Sequence, residues 1–237
     1  MHVAGIPLLV LRIEGPMQSW GLRARWSIRD TGTEPSKSGI IGLLGCVLGY
    51  HRDDPRLETE LDARLRIGVR EDRRGKPAID YHTATPPGDG IFTTANGKKN
   101  QVVKTVVSAR HYIDDGAFLV IIDGPTEMLE RCRDALLAPE WPIYLGRKSC
   151  IPTRPVLDAL TTDYASIDDA LNRYPRSDLS FPGSCVAHCV IDDPTGNAIR
   201  PDATLVRPVH TRSSRHVRTF TVDLPRSLVI EPAGGNP

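Results

Sequence analysis

Two short apolar runs constrain this chain more than any other feature. Leu8, Leu9, Val10, Leu11 and Ile13 form the first, broken only by Arg12 and stopped by Gly15 and Pro16. Phe118, Leu119, Val120, Ile121 and Ile122 form the second. Neither approaches the roughly 18 residues of a membrane span, and both have the length of strands buried on two faces. A sheet covered on both sides needs a sizeable domain. The 237 residues allow one large domain, or one of about 150 residues with a smaller appendage.

Further elements follow from periodicity. Ile40, Ile41, Leu43, Leu44, Val47 and Leu48 recur at helical spacing, with Ser36 as cap and Gly49 as terminator. Leu65, Ile67 and Val69 alternate with Arg64, Arg66 and Arg70, the pattern of a half-exposed strand. Pro125 opens a second helix through Met128, Leu129, Cys132, Leu136 and Leu137, and Pro139 ends it. Ile143, Tyr144 and Leu145 read as a short closing strand. The order is strand, helix, strand, strand, helix, strand. It predicts an α+β protein with a ferredoxin-like, RNA-recognition-motif-like βαββαβ domain over residues 1–150.

Residues 72–104 are too long for a routine connection. Within them, Asn96 and Gly97 mark a turn between apolar stretches, followed by Lys98 and Lys99. This predicts a protruding β-hairpin thumb with a basic tip. Residues 151–155 read as a linker. Residues 151–237 are then expected as a small mixed α/β C-terminal lobe, with a helix near 167–174 and strands near 186–191 and 217–224.

Several function classes fall away. Five cysteines at irregular spacing make no disulfide framework. On a strand, Cys185 and Cys189 would lie roughly 13 Å apart, too far for one zinc or one disulfide. They read as core thiols. The opening residues carry no signal-peptide pattern, so the expected compartment is the cytoplasm. No cofactor or metal is expected, because the histidines form no metal-ligand spacing.

The formal net charge is only +1, which on its face disfavours a nucleic-acid partner. The distribution says otherwise. Residues 98–112 and 146–154 carry four and three cations with no acid, and five arginines between Arg200 and Arg218 face only Asp202. The acid is concentrated in residues 53–62 and 113–140. Basic loops balanced by acidic helices fit a groove for a phosphate backbone, and solvated faces of mixed sign are the plainer reading.

Three segments carry candidate contacts. In residues 15–21, Gln18 and Ser19 offer neutral donors and acceptors and Trp20 a stacking face, with Arg23, Arg25 and Arg29 close behind. Anchoring of the loop to the core is the competing role for the tryptophan. Ser36, Lys37 and Ser38 open a helix N-terminus, a generic anion site; with Lys37 where a P-loop needs glycine, it is not a nucleotide-binding loop. Gly39, Gly42 and Gly45 line one face of that helix, which suggests close approach by another backbone. In the third segment, Gly146 makes a tight turn presenting Arg147 and Lys148 after Tyr144, suited to phosphate. Catalysis has only the dipeptide His111–Tyr112, whose side chains would point to opposite faces of a strand.

Residues 9–21, Arg29 to Thr31, 35–44, 112–120, 142–150 and 217–225 together resemble the CasD family, subunits of the type I-E CRISPR Cascade complex in the repeat-associated RNA-binding superfamily. The likeness covers most of the chain and is loosest in the hairpin and in residues 192–215. It implies a non-catalytic subunit whose thumb and glycine turn hold the 5′ handle of the CRISPR RNA, beside CasC backbone subunits and the large CasA subunit. The handle contacts it implies are Gln18, Ser19, Trp20, Arg25, Lys37, Ser38, Tyr144, Arg147 and Lys148; Lys98 and Lys99 rest on the hairpin alone. A related type I-C branch cleaves the repeat itself. The alternative is therefore a metal-independent endoribonuclease using His111 and Tyr112, and a third reading is a protein-only docking module.

Overall fold

A computed structural model describes residues 5–22, 28–85, 92–93, 99–100, 105–176, 185–203 and 213–225. In chain order the elements are β1 (Leu8–Glu14), β2 (Met17–Gln18), β3 (Ile28–Arg29), α1 (Lys37–Val47), β4 (Arg66–Arg73) and β5 (Lys76–Ala84). There follow β6 (Phe92–Thr93), β7 (Lys99–Asn100), β8 (Val106–Asp114), β9 (Ala117–Asp123), α2 (Thr126–Leu137) and β10 (Leu157–Thr161). The chain continues with α3 (Ile167–Arg173), β11 (Cys185–Asp192), β12 (Ala198–Ala203) and β13 (Ser213–Leu224). A π-helical turn, Leu57–Asp62, follows α1. No helix among the described residues is long and apolar enough to cross a membrane.

The two apolar runs are β1 and β9, and they pair with each other antiparallel: Leu9 opposite Ile122, Leu11 opposite Val120, Ile13 opposite Phe118. They lie inside a seven-stranded sheet of order β10-β1-β9-β4-β11-β13-β12, antiparallel throughout. Alternation along each strand sends residues to both faces. Leu9, Leu11, Ile13, Val120 and Ile122 join α1 and α2 in one core, while Leu8, Val10, Leu119 and Ile121 join α3 in another. This is why both runs are apolar at nearly every position.

Arg12, the one break in the first run, is only 1% exposed. It donates to Asp72 at 3.2 Å and to Asp158 at 3.0 Å, within a buried network that includes Arg70 at 2.5 Å from Asp72. A buried charge is tolerated when paired and fully hydrogen-bonded.

Two expectations change. The strand expected at 143–145 does not form; the Leu145 amide donates to Cys150 at 2.7 Å and its carbonyl accepts from Ser19 at 3.1 Å. Gly146, at φ +86°, turns the chain before a ladder can extend. The strand beside β1 is instead β10, from beyond residue 150. Second, β4 is central rather than half-exposed, because β11 covers its other edge and α3 its second face. A methyl at Gly68 would lie 2.4 Å from the Ile167 side chain. The hairpin expected within 72–104 is supported by the antiparallel pairing of β6 with β7, Phe92 opposite Asn100 and Thr93 opposite Lys99. All nine residues of β5 pair with β8, and β6 and β7 pair nearer the tip. The Asn96–Gly97 turn lies outside the described residues.

The helices follow their signals. Ser36 caps α1, its hydroxyl accepting from the Gly39 amide at 3.2 Å, and Gly49 ends it at φ +73°. α2 begins directly after Pro125.

Candidate nucleic-acid interface

After β1 the chain turns at Gly15 and Pro16, and β2 pairs with the end of β8. This sinks Gln18 completely: its amide donates to the carbonyls of Gly116 at 2.7 Å and Ile13 at 3.3 Å, and its oxygen accepts from the Trp20 indole at 3.0 Å. Trp20 is 1% exposed, beneath Gly39, where a methyl would lie 2.6 Å from the indole. Both residues are therefore spent on holding the loop against α1. The close neighbours of the helix glycines are side chains of the protein itself, Trp20 at Gly39 and Leu57 at Gly45. Gly42 differs, for a methyl there would meet no atom within 4 Å.

Ser19 links the loop to two other segments. Its amide donates to Leu145 at 3.1 Å and its hydroxyl to the His111 carbonyl at 3.1 Å. Gly146 is pressed onto it so closely that a methyl would lie 1.8 Å from the Ser19 carbonyl oxygen. The turn thus delivers Arg147 to a fixed place. Its guanidinium lies 4.5 Å from the centre of the Tyr112 ring and donates to the Arg29 carbonyl at 2.9 Å, while its buried Nη1 has no hydrogen-bond partner. Lys148 is exposed. Burial pushes the Cys46 thiol up, and the Lys148 ammonium opposes that shift.

Between these segments lies a pocket of about 220 Å³. Ser19 and Gly21 line it from the loop after β2, Ser38, Gly42 and Cys46 from α1, and Tyr144 from the opposite wall. No charged side chain lines it among the described residues. The Ser38 hydroxyl is buried there without a hydrogen-bond partner.

Lys37 lies elsewhere. It is 9% exposed, ion-paired with Asp192 at 3.1 Å and with Asp62 at 3.9 Å. Its amide donates to the Asp202 carboxylate at 2.9 Å, so the start of α1 is already filled by an anion of the chain itself. Asp202 is held in turn by Arg215, which also pairs with Asp192. Arg200 pairs with Glu34, and Arg218 with Asp168 and Asp193. The described arginines of the 200–218 run thus hold the fold's own carboxylates. Arg25 and Lys98 lie outside the described residues, and Lys99 lies in β7.

Sequence reasoning undervalued Arg110. The parallel pairing of β3 with β8 sets it beside Arg29, and Arg147 reaches the Arg29 carbonyl. Like charges side by side on a sheet repel, and on its other side Arg110 is faced by Asp80 of β5. Only the pairing of strands about eighty positions apart reveals this row. His111, by contrast, occupies the opposite side of β8 from Tyr112, whose ring is 6% exposed under Arg147. The Cys132 and Cys189 thiols are pushed up by burial to about 11 and about 12, as inert core groups are.

The sequence model of a family described as CRISPR-associated protein (Cas_Cas5) matches residues 8–223, from the first residue of β1 into the last turn of the sheet at β13. The chain belongs to this Cas5 family. A relative is the CRISPR system Cascade subunit CasD of Escherichia coli (strain K12), 35% identical over 159 residues, which are 62% of this chain and 68% of that protein. Among solved structures, a chain of a CRISPR RNA-guided surveillance complex superposes with a TM-score of 0.73 at 29% identity, over 95% of this chain and 94% of its own. A second, described as a Cas protein, gives 0.67 at 31% identity, over 96% of this chain and all of its own, 100%. The mixed α/β architecture with its large antiparallel sheet is shared with these two structures.

Proposed function

We propose that this Cas5-family chain is a non-catalytic RNA-binding subunit of a type I-E Cascade complex, holding the 5′ handle of the CRISPR RNA and capping one end of the assembly beside CasC-like and CasA-like subunits. The observation that carries the reading is the Gly146 turn. Gly146 lines a pocket together with Ser19, Ser38 and Tyr144 and is followed directly by Arg147 and Lys148. Arg147 donates to the carbonyl of Arg29, which lies beside Arg110, an arrangement that supports a phosphate path next to the pocket. Charge for phosphates next to an uncharged recess is what a single strand needs. Lys98 and Lys99 extend the proposed grip onto the thumb. Gln18, Trp20 and Lys37 act behind the surface, by fixing the loop and α1.

We also read β10-β1-β9-β4 with α1 and α2 as a ferredoxin-like unit, supported by their strand order and antiparallel pairing. The endoribonuclease reading is disfavoured by the burial of Tyr112 beneath Arg147 and by the separation of His111 and Tyr112 on two faces of β8. The test is Arg147→Ala with Lys148→Ala in a reconstituted complex, scored by nuclease protection of the guide's 5′ end. The expected outcome is exposure of that end with the remaining guide still covered. Full protection in the double variant would contradict the assignment.

A further inference from the structure

We propose that the buried guanidinium of Arg176 forms one side of a structural site for a single small monoanion of the halide class, on the face of the sheet opposite α1. The inference stands apart from the RNA-binding reading. Pro175 stops α3, whose last carbonyls are left without partners in the helix. Arg70 takes two of them, donating to Leu171 at 2.6 Å and to Tyr174 at 2.9 Å, and Arg12 donates to the Pro175 carbonyl at 2.5 Å. Arg176 follows directly and is fully buried.

Among the described residues the charges here do not balance. Asp72 receives Arg12 at 3.2 Å and Arg70 at 2.5 Å, and Asp158 receives Arg12 at 3.0 Å and the Tyr174 hydroxyl at 2.8 Å. Arg154, which also reaches Asp158, is offset by Glu14 at 3.6 Å. Three buried guanidiniums thus share two carboxylates, both already occupied, and Arg176 is the one left over. Its Nη2 donates to the Asp72 carbonyl at 3.4 Å, and its Nε and Nη1 are buried without a hydrogen-bond partner. A buried charge needs a counter-charge, and a water accepts hydrogen bonds without supplying one. The surplus is a single positive charge in an enclosed place, so the fitting ligand is a small monoanion.

The experiment is thermal denaturation of the full chain as sodium chloride replaces sodium gluconate, an anion too bulky for such a site, at constant ionic strength. Once chloride exceeds its dissociation constant, each tenfold rise is expected to lift the wild-type Tm by roughly 3–5 °C. Arg176→Met removes the surplus charge while keeping bulk, and should abolish that rise. The difference between the two proteins cancels general salt effects. If the methionine variant fails to fold, crystals of the wild-type chain grown in sodium bromide decide the matter. An anomalous bromide peak within hydrogen-bond reach of Arg176 Nε or Nη1 supports the site. Equal responses of the wild type and Arg176→Met to chloride overturn it, and so does the lack of a bromide peak at Arg176. A carboxylate supplied to Arg176 by the chain itself would give those two results.

Discussion

Arg147 owes its position to a glycine rather than to its own partners. Gly146 takes φ +86°, and its missing side chain lets the turn lie against the Ser19 carbonyl. Gly146→Ala is predicted to cost about 1–3 kcal/mol from the backbone conformation alone, with more from displacing Ser19. Thermal denaturation checks the loss, and weaker guide retention should accompany it because Arg147 moves with the turn. The motif from Tyr144 to Lys148 was legible in the sequence, as was the cap at Ser36. What a residue list does not disclose is how a polar side chain is used. Gln18 and Lys37 look like surface donors until the carbonyls of Ile13 and Gly116 and the carboxylates of Asp62 and Asp192 are brought to them from distant segments.

Elements are legible in the sequence where local pattern decides and hidden where a neighbour does. The apolar runs of β1 and β9 and the capped helices carry their own signals. Arg66 and Arg70 made β4 look half-exposed, yet Arg70 is buried against Asp72, and a paired charge has the same letter as a solvated one. The strand at 143–145 failed for the converse reason: its apolar residues are needed, but to anchor a turn. α1 is tied to the far side of the sheet by Asp202, which receives the Lys37 amide and the Arg215 guanidinium. Asp202→Ala is predicted to destabilise the protein by about 2 kcal/mol, since it takes one of two carboxylates from a largely buried guanidinium and the anion from the start of α1. Urea denaturation measures this. The pocket should loosen with it, because α1 forms one wall.

At the scale of the whole molecule, a net charge of +1 hides a division of labour. Arg12, Arg70, Arg200, Arg215 and Arg218 are paired with carboxylates and hold the sheet together. Arg29, Arg110, Arg147 and Lys148 are grouped along β3, β8 and the Gly146 turn. Neutralising four phosphates on a single strand predicts a slope of log K against log salt of about −3 for the subunit, and the Arg147 and Lys148 double variant should lower its magnitude by about 1.4. A slope unchanged by the double variant would remove those residues from the contact.

The most direct measurement is a crosslink. Guides carrying a photoreactive base at successive handle positions, assembled into the complex and irradiated, identify the contacted peptides by mass spectrometry. The account predicts crosslinks from one handle position to the α1 peptide bearing Ser38 and Gly42 or to the turn bearing Tyr144 and Arg147. Handle crosslinks confined to other subunits, or to the α3 and β12 side of this one, would contradict it.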